Sequence, residues 1–247
     1  MRILAIDTAT ESCSAALLLD EHLLQRQQLL ERGHAEAILS MVDGLLAEAG
    51  QTLAALTAIA FGRGPGAFTG VRLAASVTQG LAFGAGLPVV PVSDLRALAQ
   101  RALDTEATIG AVLACADARM HEVYWGCFER GADGLARAAG EEHVSRPADV
   151  RLPPYRAGAG RPGSAGSPPA PRAGGERLGG VGSGFAAYPS LRADLPLDVV
   201  LEGVLPRAVE IARLAAPEVL AGRFLPAEQA LPVYLRDDVT RAPPRAS

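Results

Sequence analysis

The stretch MRILAIDTATESCSAALLL, residues 1–19, decides the fold class of this chain. A short apolar run at residues 3–6 ends at Asp7, a turn rich in hydroxyl side chains follows, and a second apolar run covers residues 15–19. Short apolar runs separated by turn residues are typical of paired strands. We therefore expect a hairpin that carries a carboxylate at the tip of its first strand.

The same pattern recurs in GAVLACADARMHEVYWGCF, residues 110–128, where the apolar run ends at Asp117. A weak repeat of a whole strand, turn and strand unit indicates two lobes of related topology. We predict an α/β fold in which each lobe is a mixed sheet with flanking helices. The predicted N-terminal lobe covers residues 1–107, and the C-terminal lobe covers residues 108–247.

The remaining segments alternate between strand and helix periods. In chain order we predict a third strand at 23–30, a helix from His34 to a stop at Gly50, a strand at 58–61, a helix ending near Phe83, a strand at 89–92, a helix from the cap Ser93 to Arg101, a strand at 199–201 and a helix at 206–215. Residues 151–178 are rich in Pro, Gly, Ala and Arg, which predicts a disordered or low-complexity insertion. Pro232 opposes a helix in the tail, so we expect residues 231–235 to be extended.

The composition excludes several kinds of function. All 23 basic side chains are arginine, so a Schiff-base lysine and a P-loop lysine are ruled out. The formal charge of -4 gives no global positive field. If the protein acts on RNA, we therefore expect a partner to supply most of the binding to it. Three cysteines without metal-type spacing predict buried free thiols. Because no apolar run is long enough for a signal peptide core or a membrane span, we expect a soluble cytoplasmic protein without membrane contact.

The segment GRGPGAFTGVR, residues 62–72, is the most unusual local feature. Four glycines and one proline within nine residues prescribe an irregular backbone that leads into a helix N-terminus, where exposed amides can hold an anion. The glycines do not fit a G-x-G-x-x-G register, and a Walker loop would need a lysine. A structural strand-to-helix turn is the interpretation that we favour, and anion binding stays open.

Asp7 and Asp117 are the candidate functional carboxylates. ATPases of the actin-like fold use strand-tip carboxylates to position metal and phosphate, with glycines in the adjoining turn so that phosphate approaches the backbone. The turns that follow, TATES and ARMHE, contain no glycine. We therefore interpret both aspartates as structural caps of their turns, in preference to a phosphate site. The four histidines form no His-x-x-x-His pair, so we predict no metal ligands and no catalytic residues, with His34 packing at a helix start.

Two neighbouring helices are apolar on more than one side. The helix at 71–83 carries one charge, Arg72, and otherwise mostly small residues. We expect Leu73, Val77 and Leu81 to face the sheet, which leaves a second uncharged face. A partner surface and burial under another lobe of the same chain are equally compatible with this spacing.

Five segments together resemble the TsaB family, also called YeaZ, which is related to TsaD. They are MRILAIDTATESCSAALL, RGHAEAIL, FGRGPGAFTGVRLAASVTQGLAFG, ADARMHEVYW and PVYLR. Their order and spacing match over nearly the whole chain, and the combination of GRGPGAFTGVR with DARMHEVYW is highly specific. The resemblance implies the duplicated actin-like ATPase (ribonuclease H-like) superfold and a cytoplasmic role in tRNA modification.

In that family TsaD binds the metal and transfers the threonylcarbamoyl group from threonylcarbamoyl-adenylate to the anticodon-adjacent adenosine of tRNAs that read codons beginning with adenine. The resemblance implies that this chain is the non-catalytic partner of TsaD, works with the ATPase TsaE, reaches tRNA indirectly through the complex, and forms a homodimer when alone. It implies no cofactor of the chain's own and leaves open a nucleotide at the interface shared with TsaD.

The same resemblance implies that the helices at 34–48 and 71–83 pair with their TsaD equivalents. The interface residues carried over on this basis are Ile38, Met41, Val42, Leu45, Val71, Ala75, Thr78 and Ala82. Two other classes remain as alternatives: an ATP-dependent kinase and a metal-dependent hydrolase of the same superfold. The kinase would need phosphate-binding glycines after Asp7, and the hydrolase would need metal ligands or a nucleophile triad.

Overall fold

The computed structural model describes residues 1–152 and 177–236, which form two sheets with helices between and outside them. The elements of the first half are β1 Arg2–Asp7, β2 Ser12–Leu19, β3 His22–Leu29, α1 His34–Glu48, β4 Ala58–Gly62, α2 Phe68–Ala85, β5 Val89–Val92 and α3 Asp94–Thr105. Those of the second half are β6 Ile109–Arg119, β7 Glu122–Arg130, β8 Ala136–Ala138, β9 His143–Ser145, β10 Arg177–Val181, α4 Ser183–Ala187, α5 Ser190–Asp194, β11 Val199–Leu201 and α6 Ala208–Leu220.

The first sheet has the strand order β3-β2-β1-β4-β5. β1 pairs antiparallel with β2 and parallel with β4, and β4 pairs parallel with β5. β4 is buried along its whole length and β1 everywhere except at Arg2, because helices cover both faces of the sheet. The predicted hairpin at residues 1–19 is confirmed as β1 and β2, with Asp7 at the end of β1.

The second sheet repeats this topology. Its order β11-β10-β6-β7-β8 has the same antiparallel hairpin, β6 and β7, followed by parallel pairing of β6 with β10 and of β10 with β11. β8 pairs with residues 128–130 of β7, and β9 pairs with residues 123–125 of the same strand. The predicted duplication is therefore confirmed, and the chain has the mixed α/β architecture of the ribonuclease H-like fold.

The last helix of each half crosses to the other half. α3 packs on β6 and β7, whereas α6 packs on β1, β2 and β4. Both helices bury their apolar residues in one cluster that joins the inner faces of the two sheets, with Leu98, Val112 and Ile211 among its members. Because each half contributes a helix to the other, the boundary proposed between residues 107 and 108 stays a prediction.

Several elements differ from the sequence predictions. β8, β9, β10, α4 and α5 were not predicted, and α6 runs to Leu220 past Pro217 instead of ending near 215. β10 was not predicted because its sequence, RLGGV, contains two glycines and begins inside the predicted insertion. A Cβ on Gly179 would lie 2.6 Å from the Ile109 side chain, and one on Gly180 would lie 2.7 Å from the Phe185 ring, so close packing explains both glycines. The rest of that insertion, residues 153–176, lies outside the described residues.

The predictions for the three cysteines and for the Ser93 cap are confirmed. Cys13, Cys115 and Cys127 are free and buried, and burial raises the pKa of the Cys115 thiol to about 12. The Ser93 hydroxyl accepts a hydrogen bond from the Arg96 amide at 3.1 Å. Within residues 1–152 and 177–236, no helix has the length and apolar character needed to cross a membrane.

The first hairpin and α2 approach each other most closely at Gly70. A Cβ at Gly70 would lie 2.0 Å from the Thr8 carbonyl oxygen, which is backbone and cannot swing away. We expect Gly70→Ala to lower the free energy of unfolding by about 3 kcal/mol, at the upper end of overpacking costs. Gly80 lies in the same helix with open space around it, so Gly80→Ala should raise stability by about 0.5–1 kcal/mol. Urea unfolding of both variants checks this; equal effects would contradict it.

Candidate functional site

A cavity of about 640 Å³ lies between the two lobes. The turn after β1, the glycine-rich turn and the start of α3 form one wall, and the end of β6 with α4 forms the other. The tail at 233–236 also lines the cavity. This is the position at which the carboxyl ends of the parallel strands point outwards, and open α/β sheets bind their ligands there.

Both strand-tip aspartates cap their own turns. Asp7 Oδ1 accepts a hydrogen bond from the Ala9 amide at 2.8 Å, and Asp117 Oδ1 accepts one from the Arg119 amide at 2.9 Å. The Asp117 carboxylate also pairs with the Arg119 guanidinium at 3.2 Å. The predicted role of both residues as turn caps is therefore confirmed.

The glycine-rich turn closes onto the hairpin turn instead of leaving a cradle. The Ala67 amide donates to the Ala9 carbonyl at 2.7 Å, and the Thr8 hydroxyl donates to the Gly70 carbonyl at 2.7 Å. A Cβ on Gly66 would lie 2.6 Å from the Ala9 carbonyl oxygen. These glycines let the two backbones touch, which supports the structural interpretation of the turn.

The residues of the cavity do not fit a nucleotide. The amides of Ala9, Gly64 and Ala67, which would face a phosphate, already donate within the chain. The two arginines that line the same space are each paired with a carboxylate of the chain, Arg119 with Asp117 and Arg236 with Glu122.

Asp7 meets a second buried carboxyl group, Asp94, at the floor of the cavity. Both side chains are almost fully buried, at 0% and 1% exposure, and their carboxyl groups lie within hydrogen-bonding reach of each other. Asp94 Oδ2 accepts a hydrogen bond from the Gly64 amide at 2.5 Å. Asp7 Oδ2 and Asp94 Oδ1 meet no N–H or O–H donor of the described residues. A proton carried by Asp94 and shared with Asp7 satisfies both oxygens.

Burial raises the pKa of both carboxyl groups. Desolvation lifts the pKa of Asp7 from 3.8 to about 6, against the opposing effect of its hydrogen bond with the Ala9 amide. Desolvation and the neighbouring Asp7 charge raise the pKa of Asp94 well above its usual range. The raised values mean that the folded protein binds protons more tightly than the unfolded chain. Their contribution to stability is complete below pH 3.8 and is lost as pH rises through about 6 and beyond.

The sequence did not reveal Asp94 as a buried acid. A carboxylate that follows a Ser cap is common in the first turn of any helix, so its presence there gave no signal.

We expect Asp94→Asn to be more stable than wild type at pH 8, by about 3 kcal/mol, with the gain shrinking towards pH 4. The amide can accept from Gly64 and donate to Asp7 without losing a proton. Unfolding by urea from pH 4 to 8 measures the difference, with the exposed Asp43→Asn on α1 as control. A difference independent of pH would contradict the shared proton.

His34 lies at the first position of α1, and its Nε2 is 3.0 Å from the Thr10 carbonyl oxygen. The predicted packing role at a helix start is therefore confirmed. Among residues 1–152 and 177–236, no group of three or more histidine, cysteine or acidic side chains has the arrangement to hold a metal ion.

The predicted facing of the helix at 71–83 is wrong. Val71, Ala75, Thr78 and Ala82 are buried towards the first sheet, whereas Leu73, Val77 and Leu81 are only half-buried. Small side chains let α2 approach β4 closely, and that advantage outweighs the larger apolar residues on the other side. Hydrophobicity alone could not decide between the two faces because both are uncharged.

Most of the residues predicted to contact a partner are therefore inside this chain. Ile38, Val42 and Leu45 of α1 belong to the same apolar cluster as Ala75 and Ala82 of α2, and Met41 is half-buried against it. Side chains buried in this way cannot touch a second protein. The helices themselves remain candidates for pairing, through the residues that they expose.

The exposed positions of α2 carry no charge, whereas those of α1 include the acidic side chains of Glu36, Asp43 and Glu48. The exposed face of α2 includes Phe68 and Phe83, 59% and 70% exposed, with Ser76 and Gly80 between them. That of α1 includes Leu39, which is 47% exposed. A solvated helix face is usually charged, so the outer face of α2 is unusual for a free monomer.

The duplicated sheets, the exchanged helices and the interlobe cavity define a member of the actin-like ATPase superfold. Comparison with known proteins gives the family. The sequence model described as "TsaD: tRNA N6-adenosine threonylcarbamoyltransferase" matches residues 22–192. The TsaB protein of Escherichia coli (strain K12), described as a tRNA threonylcarbamoyladenosine biosynthesis protein, is 39% identical over 97% of this chain and 96% of its own length. The chain belongs to the TsaB (YeaZ) family.

Two further relatives agree with this assignment. The TsaB protein of Haemophilus influenzae is 37% identical over 97% of this chain and 95% of its own length. The solved structure of YeaZ from Pseudomonas aeruginosa superposes with a TM-score of 0.81 at 42% identity, covering 95% of this chain and 99% of that chain.

Proposed function

We propose that this chain is the non-catalytic partner of TsaD in tRNA threonylcarbamoyladenosine biosynthesis, acting with TsaE in the cytoplasm. TsaD would transfer the threonylcarbamoyl group, and this chain would bind TsaD as a heterodimer and reach tRNA through the complex. The observation that carries the proposal is the outer face of α2, whose exposed positions carry no charge, in a chain whose relatives are named for this biosynthesis.

The match to the TsaD sequence model supports a pseudo-symmetric pair. Two proteins built on one fold can place equivalent helices face to face, much as two identical subunits do about a twofold axis. Small residues such as Ser76 and Gly80 would allow the helices to approach closely, and Phe68 and Phe83 would supply apolar area. The same face would form a homodimer when TsaD is absent.

The construction of the cavity supports a non-catalytic role. Its amides and its two arginines are engaged within the chain, and its two buried aspartates share a proton. These features weigh against the kinase alternative of the same superfold. Titration with ATP by calorimetry and metal analysis of the purified chain discriminate the enzyme alternatives, since tight stoichiometric binding of either ligand would favour them.

Ser76→Glu is the sharpest test of the proposed face. The position is exposed in the monomer, so the charge should leave the melting temperature unchanged while it lowers affinity for TsaD by roughly tenfold or more. Ser190→Glu on α5 is the matched control, because it adds the same charge to an exposed serine of the other lobe. Equal affinities of both variants for TsaD, measured by calorimetry, would count against this face.

Ala75→Glu is unsuitable as a test of the face because Ala75 is only 3% exposed, so the charge would disrupt the core.

The function itself is tested by reconstitution. The chain is co-purified with TsaD and TsaE of the same organism, and threonylcarbamoyl transfer to tRNA is assayed with and without it. Formation of a TsaD complex and dependence of the modification on this chain are the expected results. Modification that proceeds equally well without the chain would overturn the proposal.

A further inference from the structure

The tail at residues 231–236 crosses the mouth of the interlobe cavity. On the first lobe, the Val233 amide donates to the Arg63 carbonyl at 2.8 Å, and the Val233 carbonyl oxygen lies 3.0 Å from the place that a Cβ on Gly64 would occupy. The contact is therefore close enough to require glycine at position 64, where φ is +99°.

The next residue of the tail, Tyr234, packs against the start of α2. The Tyr234 ring lies 6.5 Å from the Phe68 ring, centroid to centroid, and the Arg72 guanidinium carbon lies 4.9 Å from the Tyr234 centroid. The same guanidinium covers the Phe68 ring at 3.2 Å. Contacts between cations and aromatic rings of this kind hold the tail to the first lobe.

Arg236 then reaches the second lobe. Its guanidinium donates to the Ala118 carbonyl at 3.2 Å and forms an ion pair with Glu122 at 2.5 Å. It also lies 3.3 Å from the Met120 sulfur. Arg119, Met120 and His121 all have positive φ values, of 61°, 54° and 61°, so the turn that receives Arg236 has a backbone that these residues rarely adopt.

The segment joins the two lobes without being part of either core. Its apolar side chains are largely exposed, at 61% for Leu231, 38% for Val233 and 49% for Tyr234. Detachment of the segment from the two lobes therefore gives up little buried apolar area. Few buried contacts and exposed backbone are the properties of segments that detach far below the free energy of global unfolding.

We propose that residues 231–236 form a releasable strap that holds the two lobes closed and keeps ligands out of the cavity between them. Arg63 is the positioning residue on the first lobe, because its carbonyl receives Val233 while its guanidinium pairs with Glu142 of the second lobe at 3.1 Å. Release of the strap removes the bridge through Arg236 and exposes the cavity wall behind Val233 and Leu235.

The test compares the full chain with two shortened chains. One ends after Ala230 and lacks the strap; the other ends after Arg236 and keeps it, which controls for loss of the residues beyond. Nitroxide labels at Glu11→Cys and Ala186→Cys report the width of the cavity, since these exposed residues line its opposite walls. The labels react selectively because the three native cysteines are buried.

Double electron–electron resonance should give the same distance for the full chain and the chain ending after Arg236. The chain ending after Ala230 should give a broader distribution, longer by on the order of 5 Å. A folded chain without the strap that keeps the original distance would overturn the proposal.

A second measurement keeps the proposal testable if that chain does not fold. In the full chain, Arg236→Gln should speed hydrogen exchange of the Val233 amide by about tenfold, because the charged bond to Glu122 is lost. Arg223→Gln, which removes an exposed ion pair with Glu218 far from the cavity, should leave that amide unchanged. Equal exchange of the Val233 amide in both variants would also overturn the strap.

Discussion

The exchange of α3 and α6 between the two halves is the constraint on which the rest of the structure depends. Each helix covers the inner face of the sheet built by the other half, and both share one apolar cluster with β1, β4 and β6. Burial of this layer supplies a large part of the driving force for folding. Neither half has a complete core without the other.

That shared layer places two carboxyl groups where water cannot reach them. Asp7 ends β1 and Asp94 begins α3, so the crossing of α3 to the second lobe starts beside the tip of the first strand. Ionisation of both groups would leave two buried negative charges in contact, and the proton that prevents this is bound more tightly in the folded state. The floor of the cavity is thus formed by two carboxyl groups that share a proton.

The proposed partner surface and the proposed strap meet at Phe68, at the start of α2. The exposed positions of α2 carry no charge, which suits close contact with another helix. The tail lines the cavity beside the N-terminus of α2, where Phe68, Arg72 and Tyr234 meet. α2 therefore contributes to both the proposed partner surface and the proposed strap. Arg72 is the one charged residue of this helix.

The sequence by itself determined the two hairpins, with Asp7 and Asp117 at or near the ends of their first strands, the order of most strands and helices, and the family. Those features depend on local apolar periods and on motifs, which are properties of short segments. β10 was not predicted because its two glycines are explained only by packing in the folded structure. Gly179 packs against Ile109, which is distant in sequence, and Gly180 packs against the Phe185 ring. The buried face of α2 was assigned wrongly, because only packing against β4 shows which of two uncharged faces is covered. The pairing of Asp7 with Asp94 and the bridge from Arg63 through Val233 to Arg236 were decided by tertiary structure alone, since each requires distant segments to meet across the two lobes.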